Sequence, residues 1–166
     1  VWVFKKRHNR AIDRVMTGGN QWERDGLGKT GEAYLVGPDF LMRSNARPLI
    51  EAPEQYAEQL RRIKTPEDEI ERILKHKSTI LNQKAQSFAA EQAIAGNEGT
   101  GTVTSYSGKE ILASWAPLRL GSLDWGIVAK IDREEAYAPM QHMARDTLIQ
   151  TLLILLVITM VVMFLA

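Results

Sequence analysis

Residues 100–135 read TGTVTSYSGKEILASWAPLRLGSLDWGIVAKIDREE, and this stretch decides the fold class of the chain. Apolar and polar side chains alternate through three of its segments, and a period of two is typical of β-strands. The segments are residues 100–106, 110–118 and 125–131. Ser107-Gly108 forms the turn between the first two. The stretch therefore predicts three consecutive antiparallel strands, followed by a helix that starts at the N-cap sequence of residues 132–135.

The sequence upstream predicts a further pair of strands. Residues 32–36 alternate in the same way, and Gly37-Pro38-Asp39 is typical of a tight turn. A second strand is expected at residues 40–44. Together with the three later strands, this hairpin gives a sheet of about five strands.

Helical spacing fills the chain between that hairpin and residue 100. The clearest start is at Thr65, which is expected to be an N-cap with Pro66 at the first helical position. Residues 87–95 predict another short helix, and residues 11–16 predict one before the hairpin. Helices inserted between strands of a single antiparallel sheet indicate an α+β domain.

The end of the chain has a different character. Residues 148–166 read LIQTLLILLVITMVVMFLA without a formal charge, and every charged residue lies at or before Asp146. As a helix, this segment is about 28 Å long, close to the roughly 30 Å hydrocarbon thickness of a bilayer. We therefore expect a transmembrane helix at 148–166, preceded by a juxtamembrane helix at 132–147.

Residues 11–131 are expected to form the soluble domain. Residues 1–10, VWVFKKRHNR, are interpreted as the end of a preceding segment, and the chain as a piece of a longer polypeptide.

Composition argues against several classes of function. A formal charge of +1 provides no electrostatic footprint for nucleic acid, and the chain has no cysteine for a disulfide, a zinc thiolate or a nucleophile. The histidines His8, His76 and His142 lack metal-ligand spacing. No nucleophile–base pair is recognisable, so we expect no catalysis by this segment, no cofactor and no metal.

Polar and aromatic residues near the strands are the candidates for a binding site. A guanidinium pairs with a carboxylate through two hydrogen bonds, and aromatic rings enclose the apolar remainder of a small ligand. These residue types predict a site for a small carboxylate or amino acid, with Arg43 or Arg47 as its anchor. The alternative is that the aromatic residues belong to the core and the arginines cap the hairpin. The candidate residues are Tyr34, Arg43, Arg47, Tyr106, Trp115 and Lys130.

Residues 28–47, GKTGEAYLVGPDFLMRSNAR, resemble a signature of Cache-type extracytoplasmic sensor domains. Shorter motifs of the same family follow in the expected order. They lie at residues 95–99, 106–108, 111–118, 123–125 and 131–139. Two positions depart from the pattern: Lys130 stands where related sequences carry an acidic residue, and residues 44–47 read SNAR where an SDSR-like run is usual. The identity of a ligand therefore does not transfer.

The resemblance implies a PAS-like fold and a place in a bacterial transmembrane receptor. The domain would be the membrane-proximal module of a double Cache sensor, outside the inner (cytoplasmic) membrane. The cytoplasmic output that follows would be a class III nucleotide cyclase or a chemotaxis signalling domain.

Two functions remain open at the level of sequence. One is a signal-input module that binds a small molecule or partner and passes a change through the last strand and helix. The other is a non-catalytic, membrane-anchored accessory subunit of a larger membrane complex. Both imply contact with membrane lipid, and the expected protein partner is a second copy of the chain or another subunit of the complex.

Overall fold

The computed structural model describes residues 15–16, 22–121 and 123–165. Across these residues the chain is α+β, as predicted, with one antiparallel sheet. The strands are β1 (Glu32–Val36), β2 (Gly99–Thr104), β3 (Glu110–Leu120) and β4 (Leu123–Asp132). The helices after residue 46 are α1 (Arg47–Glu51), α2 (Pro53–Arg62), α3 (Glu67–His76), α4 (Phe88–Ile94) and α5 (Arg133–Leu165). The segment predicted at 1–10, and most of the helix predicted at 11–16, lie outside the described residues.

The sheet order is β1-β4-β3-β2, so the first strand pairs with the last. In this register Glu32 lies opposite Lys130, and Val36 lies opposite Gly126. Because side chains alternate along a strand, Glu32, Tyr34 and Val36 all project from the same face of β1. The pairing of β1 with β4 thus places Glu32 and Lys130, which are distant in sequence, side by side on the buried face of the sheet.

The second strand predicted at residues 40–44 is not a strand, and the sheet has four strands among the described residues rather than about five. Only an isolated bridge joins Val36 and Met42. The ladder stops because the Ser44 hydroxyl accepts from the Leu35 N–H at 2.9 Å. The turn of the expected hairpin is present, since the Gly37 N–H donates to the Leu41 carbonyl and the Arg43 N–H donates to the Leu35 carbonyl. The Ser44 side chain ends the pairing there, before a second strand can form.

The predicted helices form with small shifts at their ends. Helix α4 begins after Ser87, whose hydroxyl accepts from the Ala90 N–H. Helix α3 begins at Glu67, and its N-cap is Pro66 rather than Thr65. Pro66 has no side-chain oxygen that could accept a hydrogen bond from the first turn. The acidic residues of that turn stabilise the helix instead, because their negative charges lie at the positive end of the helix dipole.

The core lies between one face of the sheet and helices α2 to α4. Helix α4 approaches β4 closely because Gly126 has no side chain. A Cβ at that position would lie 2.7 Å from the Cβ of Ala93. The largest fully buried side chains of the core include Tyr34, Tyr56, Met42, Leu60, Ile70, Ile73 and Ile111.

Helix α5 is a separate unit, since the chain divides into two compact units after Arg133. Its segment Asp146–Leu165 is long and apolar enough to cross a membrane, and none of it is buried against protein. The expected membrane-spanning helix is thus present as a helix of the required length. β4 ends at Asp132, and α5 begins at the next residue.

Candidate functional site

A half-open cleft of about 290 Å³ lies where α1 and α2 face the end of β4. Three of the candidate residues line it: Arg47, Tyr106 and Lys130. Asp132, the last residue of β4, lies at its border, and Lys29 and Lys109 add positive charge. The cleft therefore combines an aromatic wall with cations, three of which are paired with carboxylates of the chain itself, so an external anion would compete with these carboxylates.

A buried carboxylate, Glu32, is bound by three residues that line this cleft. Glu32 pairs with Lys130, whose Nζ lies 3.0 Å from Oε2, and only 2% of the Glu32 side chain and 7% of the Lys130 side chain are exposed. The Tyr106 hydroxyl donates to the same oxygen at 2.9 Å. The Arg47 backbone N–H donates to Oε1 at 3.0 Å. A buried charge requires partners of this kind, because desolvation without them is very costly.

The Arg47 side chain organises the loop that precedes β1. Its Nη1 donates to the carbonyls of Gly31 at 2.7 Å and Gly28 at 2.9 Å. Its Nε donates to Glu51 at 3.0 Å, and its guanidinium stacks 4.7 Å from the Trp22 ring centroid. Arg47 is therefore a buried anchor of this loop and also a wall of the cleft.

The tyrosines form a connected layer beneath the cleft. The Tyr106 ring packs edge-on against Tyr34 with centroids 5.2 Å apart, and Lys130 Nζ lies 4.6 Å from the Tyr106 centroid. Burial, reinforced by the negative charge of Glu32, raises the pKa of Tyr106 well above its ordinary value. Burial likewise raises the pKa of Tyr56, whose hydroxyl donates to Gln83. Both phenols are therefore held as neutral hydrogen-bond donors.

The other candidate residues do not line the cleft. Arg43 pairs with Asp39 at 2.8 Å and donates to the Leu41 carbonyl. Trp115 packs edge-on against Phe88, with centroids 5.6 Å apart, and belongs to the hydrophobic core.

Tyr34 lies behind Tyr106, and burial raises its pKa. Its hydroxyl is buried without a hydrogen-bond partner of good geometry among the described residues, and Ser87 is the hydroxyl that interacts with it.

Glu32 and Tyr56 were not among the candidate site residues predicted from the sequence. The signal for Glu32 was available, because it occupies the same face of the predicted strand as Tyr34 and Val36, and a carboxylate on an apolar strand face needs a buried partner. Tyr56 had no such signal, since its place at the cleft depends on how α2 packs.

The opposite face of the sheet carries a second, apolar groove of about 440 Å³. Leu27, Leu112 and Ile131 contribute to it, and Leu112 is an exposed side chain. Within the described ranges no group of three or more His, Cys, Asp or Glu residues could hold a metal ion.

Comparison with protein-family models, with curated proteins and with solved structures finds no significant match to this chain. The geometry of the cleft is therefore the basis for assigning a function.

Proposed function

We propose that this chain is the extracytoplasmic signal-input module of a bacterial membrane receptor, with the PAS-like fold of Cache-type sensors. The observation that carries the proposal is the double role of β4. Lys130 and Asp132, near its end, line the cleft, and helix α5, which carries the apolar segment Asp146–Leu165, starts at the next residue, Arg133. Occupancy of the cleft would thus act on the strand that continues into the membrane helix.

The proposed ligand is a small carboxylate or amino acid. Its carboxylate would be held among Arg47, Tyr106 and Lys130, in competition with the carboxylates that already pair with Arg47 and Lys130. Arg43 and Trp115 do not line this cleft and would not contact such a ligand directly. The segment itself would catalyse no reaction and would carry no cofactor.

The proposed mechanism is a shift in population between two arrangements of the sheet end. A ligand changes the balance only if it binds the two arrangements with different affinity. The ion pair between Lys130 on β4 and Glu32 on β1 joins the two strands through their side chains. A ligand that competes with Glu32 for Lys130 would therefore favour the arrangement of β1 and β4 in which this ion pair is broken. The output would be a cytoplasmic cyclase or chemotaxis domain that follows α5.

Calorimetry against a panel of amino and organic acids tests the ligand. The Tyr106→Phe variant keeps the ring and removes one hydrogen bond, so we expect about 10-fold weaker binding or more. The matched control is Arg43→Ala, which should bind as the unmodified chain does. Absence of heat with every acid would contradict the proposed ligand class.

Cysteine labelling tests the membrane placement, since the chain has no native cysteine. A cysteine replacing Glu134, which is exposed, should react with an impermeant reagent in intact cells whose outer membrane admits it. A cysteine replacing Leu156, inside the apolar segment, should not react. Equal labelling at both positions would contradict the orientation.

The apolar groove on the other sheet face supports the second candidate, an accessory subunit that docks against a larger membrane complex. Purification in mild detergent would then recover a complex that Leu112→Glu disrupts. A sensor module would keep its ligand affinity in that variant, because Leu112 does not line the cleft.

A further inference from the structure

We infer that the donors around Glu32 form an anion-binding centre that the chain fills with its own carboxylate, and that a small monocarboxylate can take the same place. Three donors converge there: Lys130 Nζ at 3.0 Å, the Tyr106 hydroxyl at 2.9 Å and the Arg47 N–H at 3.0 Å. Together they supply one positive charge and two neutral hydrogen bonds. This is the donor set that a free carboxylate requires.

The centre lies directly behind the residues that line the cleft. Arg47, Tyr106 and Lys130 all line the cleft, whereas Glu32 is almost completely buried. The proposed route of a small acid to the centre is therefore from the cleft, past the side chains of Arg47, Tyr106 and Lys130.

The position of Glu32 makes it an internal competitor of an external anion. Its backbone pairs with that of Lys130 across β1 and β4, so the carboxylate is held next to the ammonium at a high effective concentration. A free acid must overcome this advantage. Exchange at Lys130 would release the side-chain link between the first and last strands. This regulatory consequence rests on the proposed function, whereas the anion-binding centre does not.

The test removes the internal carboxylate and supplies it from solution. Glu32→Ala deletes Cγ, Cδ and both oxygens, and acetate has the same heavy atoms. We expect acetate to raise the midpoint of thermal unfolding of the full-chain variant in lipid nanodiscs by about 3–5 °C. Chloride at equal ionic strength and the neutral isostere acetamide should not do so. The unmodified chain should respond to acetate by less than about 1 °C.

Glu51→Ala is the matched control. Glu51 also lines the cleft and also pairs with a cation, Arg47 Nε at 3.0 Å, but 44% of its side chain is exposed. Removing it opens no enclosed centre, so acetate should not stabilise that variant. Equal responses of the two variants to acetate would overturn the inference.

A variant that fails to fold still decides the question. If Glu32→Ala refolds in acetate and not in chloride, the centre is supported, and failure in both overturns it. Glu32→Gln fills the space without the charge, so it should be destabilised and insensitive to acetate. A Glu32→Gln chain as stable as the unmodified one would show that no anion is required there.

The outcomes separate this inference from the proposed function. Acetate rescue of Glu32→Ala, with no acid binding to the unmodified chain, keeps the anion centre and removes the sensor proposal. Binding of an acid to the unmodified chain, without acetate rescue of Glu32→Ala, keeps the sensor proposal and removes the anion centre.

Discussion

Two arginines four residues apart have different environments in this protein. Arg47 is buried and donates to two backbone carbonyls and a carboxylate, and it lines the cleft. Arg43 pairs with Asp39, whose side chain is 48% exposed, and stays outside the cleft. The two residues have the same side-chain chemistry, so their partners and their access to solvent decide what each contributes.

The largest effect is expected where the buried charge loses its partner. Lys130→Met should leave the Glu32 carboxylate buried and unpaired, which costs about 3–5 kcal/mol of unfolding free energy. Thermal unfolding in nanodiscs measures the loss. The control Lys109→Met breaks the ion pair with Asp132, in which the lysine side chain is 56% exposed, and should cost less than about 1 kcal/mol. Similar losses in both variants would mean that the buried pair behaves like a surface pair.

The second largest effect is expected for Arg47→Ala, which should lower the free energy of unfolding by about 2–4 kcal/mol. The variant leaves the buried Gly31 carbonyl without its charged donor and removes the stacking partner of Trp22. The fluorescence of the tryptophans should also change, because Trp22 is buried against this side chain. An unchanged spectrum with an unchanged midpoint would contradict the anchoring role.

Arg43→Ala should cost about 1 kcal/mol, less than Arg47→Ala, because 48% of the side chain of its partner Asp39 is exposed to solvent. Comparison with Arg47→Ala in the same nanodiscs is the direct measurement. A loss as large as that of Arg47→Ala would show that partners and burial do not separate the two arginines.

The smallest effect is the pH dependence of the Arg43 pair. Partial burial acts to raise the pKa of Asp39, but the hydrogen bonds from Arg43 and the Leu41 N–H outweigh it and hold the pKa below its ordinary value. A depressed pKa contributes stability above the unfolded value of about 3.9, and this contribution is lost as the pH falls through the folded value.

The difference in stability between the unmodified chain and Arg43→Ala should therefore shrink as the pH falls below the unfolded pKa of about 3.9. Unfolding midpoints at pH 6 and pH 3 measure it. Asp39→Asn should remove the pH dependence of that difference, and a gap that widens in acid would contradict the assignment.

The sequence could predict those features that local pattern controls. Alternation identified β3 and β4, and the absence of charge identified the apolar part of α5. The predicted second strand at 40–44 was wrong, because the Ser44 hydroxyl accepts the Leu35 N–H in place of a backbone carbonyl. A side-chain bond of this kind leaves no mark in the local alternation of apolar and polar residues.

The candidate site was predictable only in part. Arg47, Tyr106 and Lys130 were chosen for their chemistry and lie at one cleft, whereas Arg43 and Trp115 were chosen on the same grounds and lie elsewhere. Residue type indicates which groups can bind an anion. It does not indicate which of them meet.

By itself the sequence determined the fold class and the apolar helix, because periodicity and charge act over a few neighbouring residues. The tertiary structure alone decided that Glu32 meets Lys130, since this contact depends on the pairing of the first strand with the last. It also decided that Arg47 lines the cleft and that Arg43 does not. Burial raises the cost of an unpaired charge, and burial is a property of the assembled domain rather than of any segment.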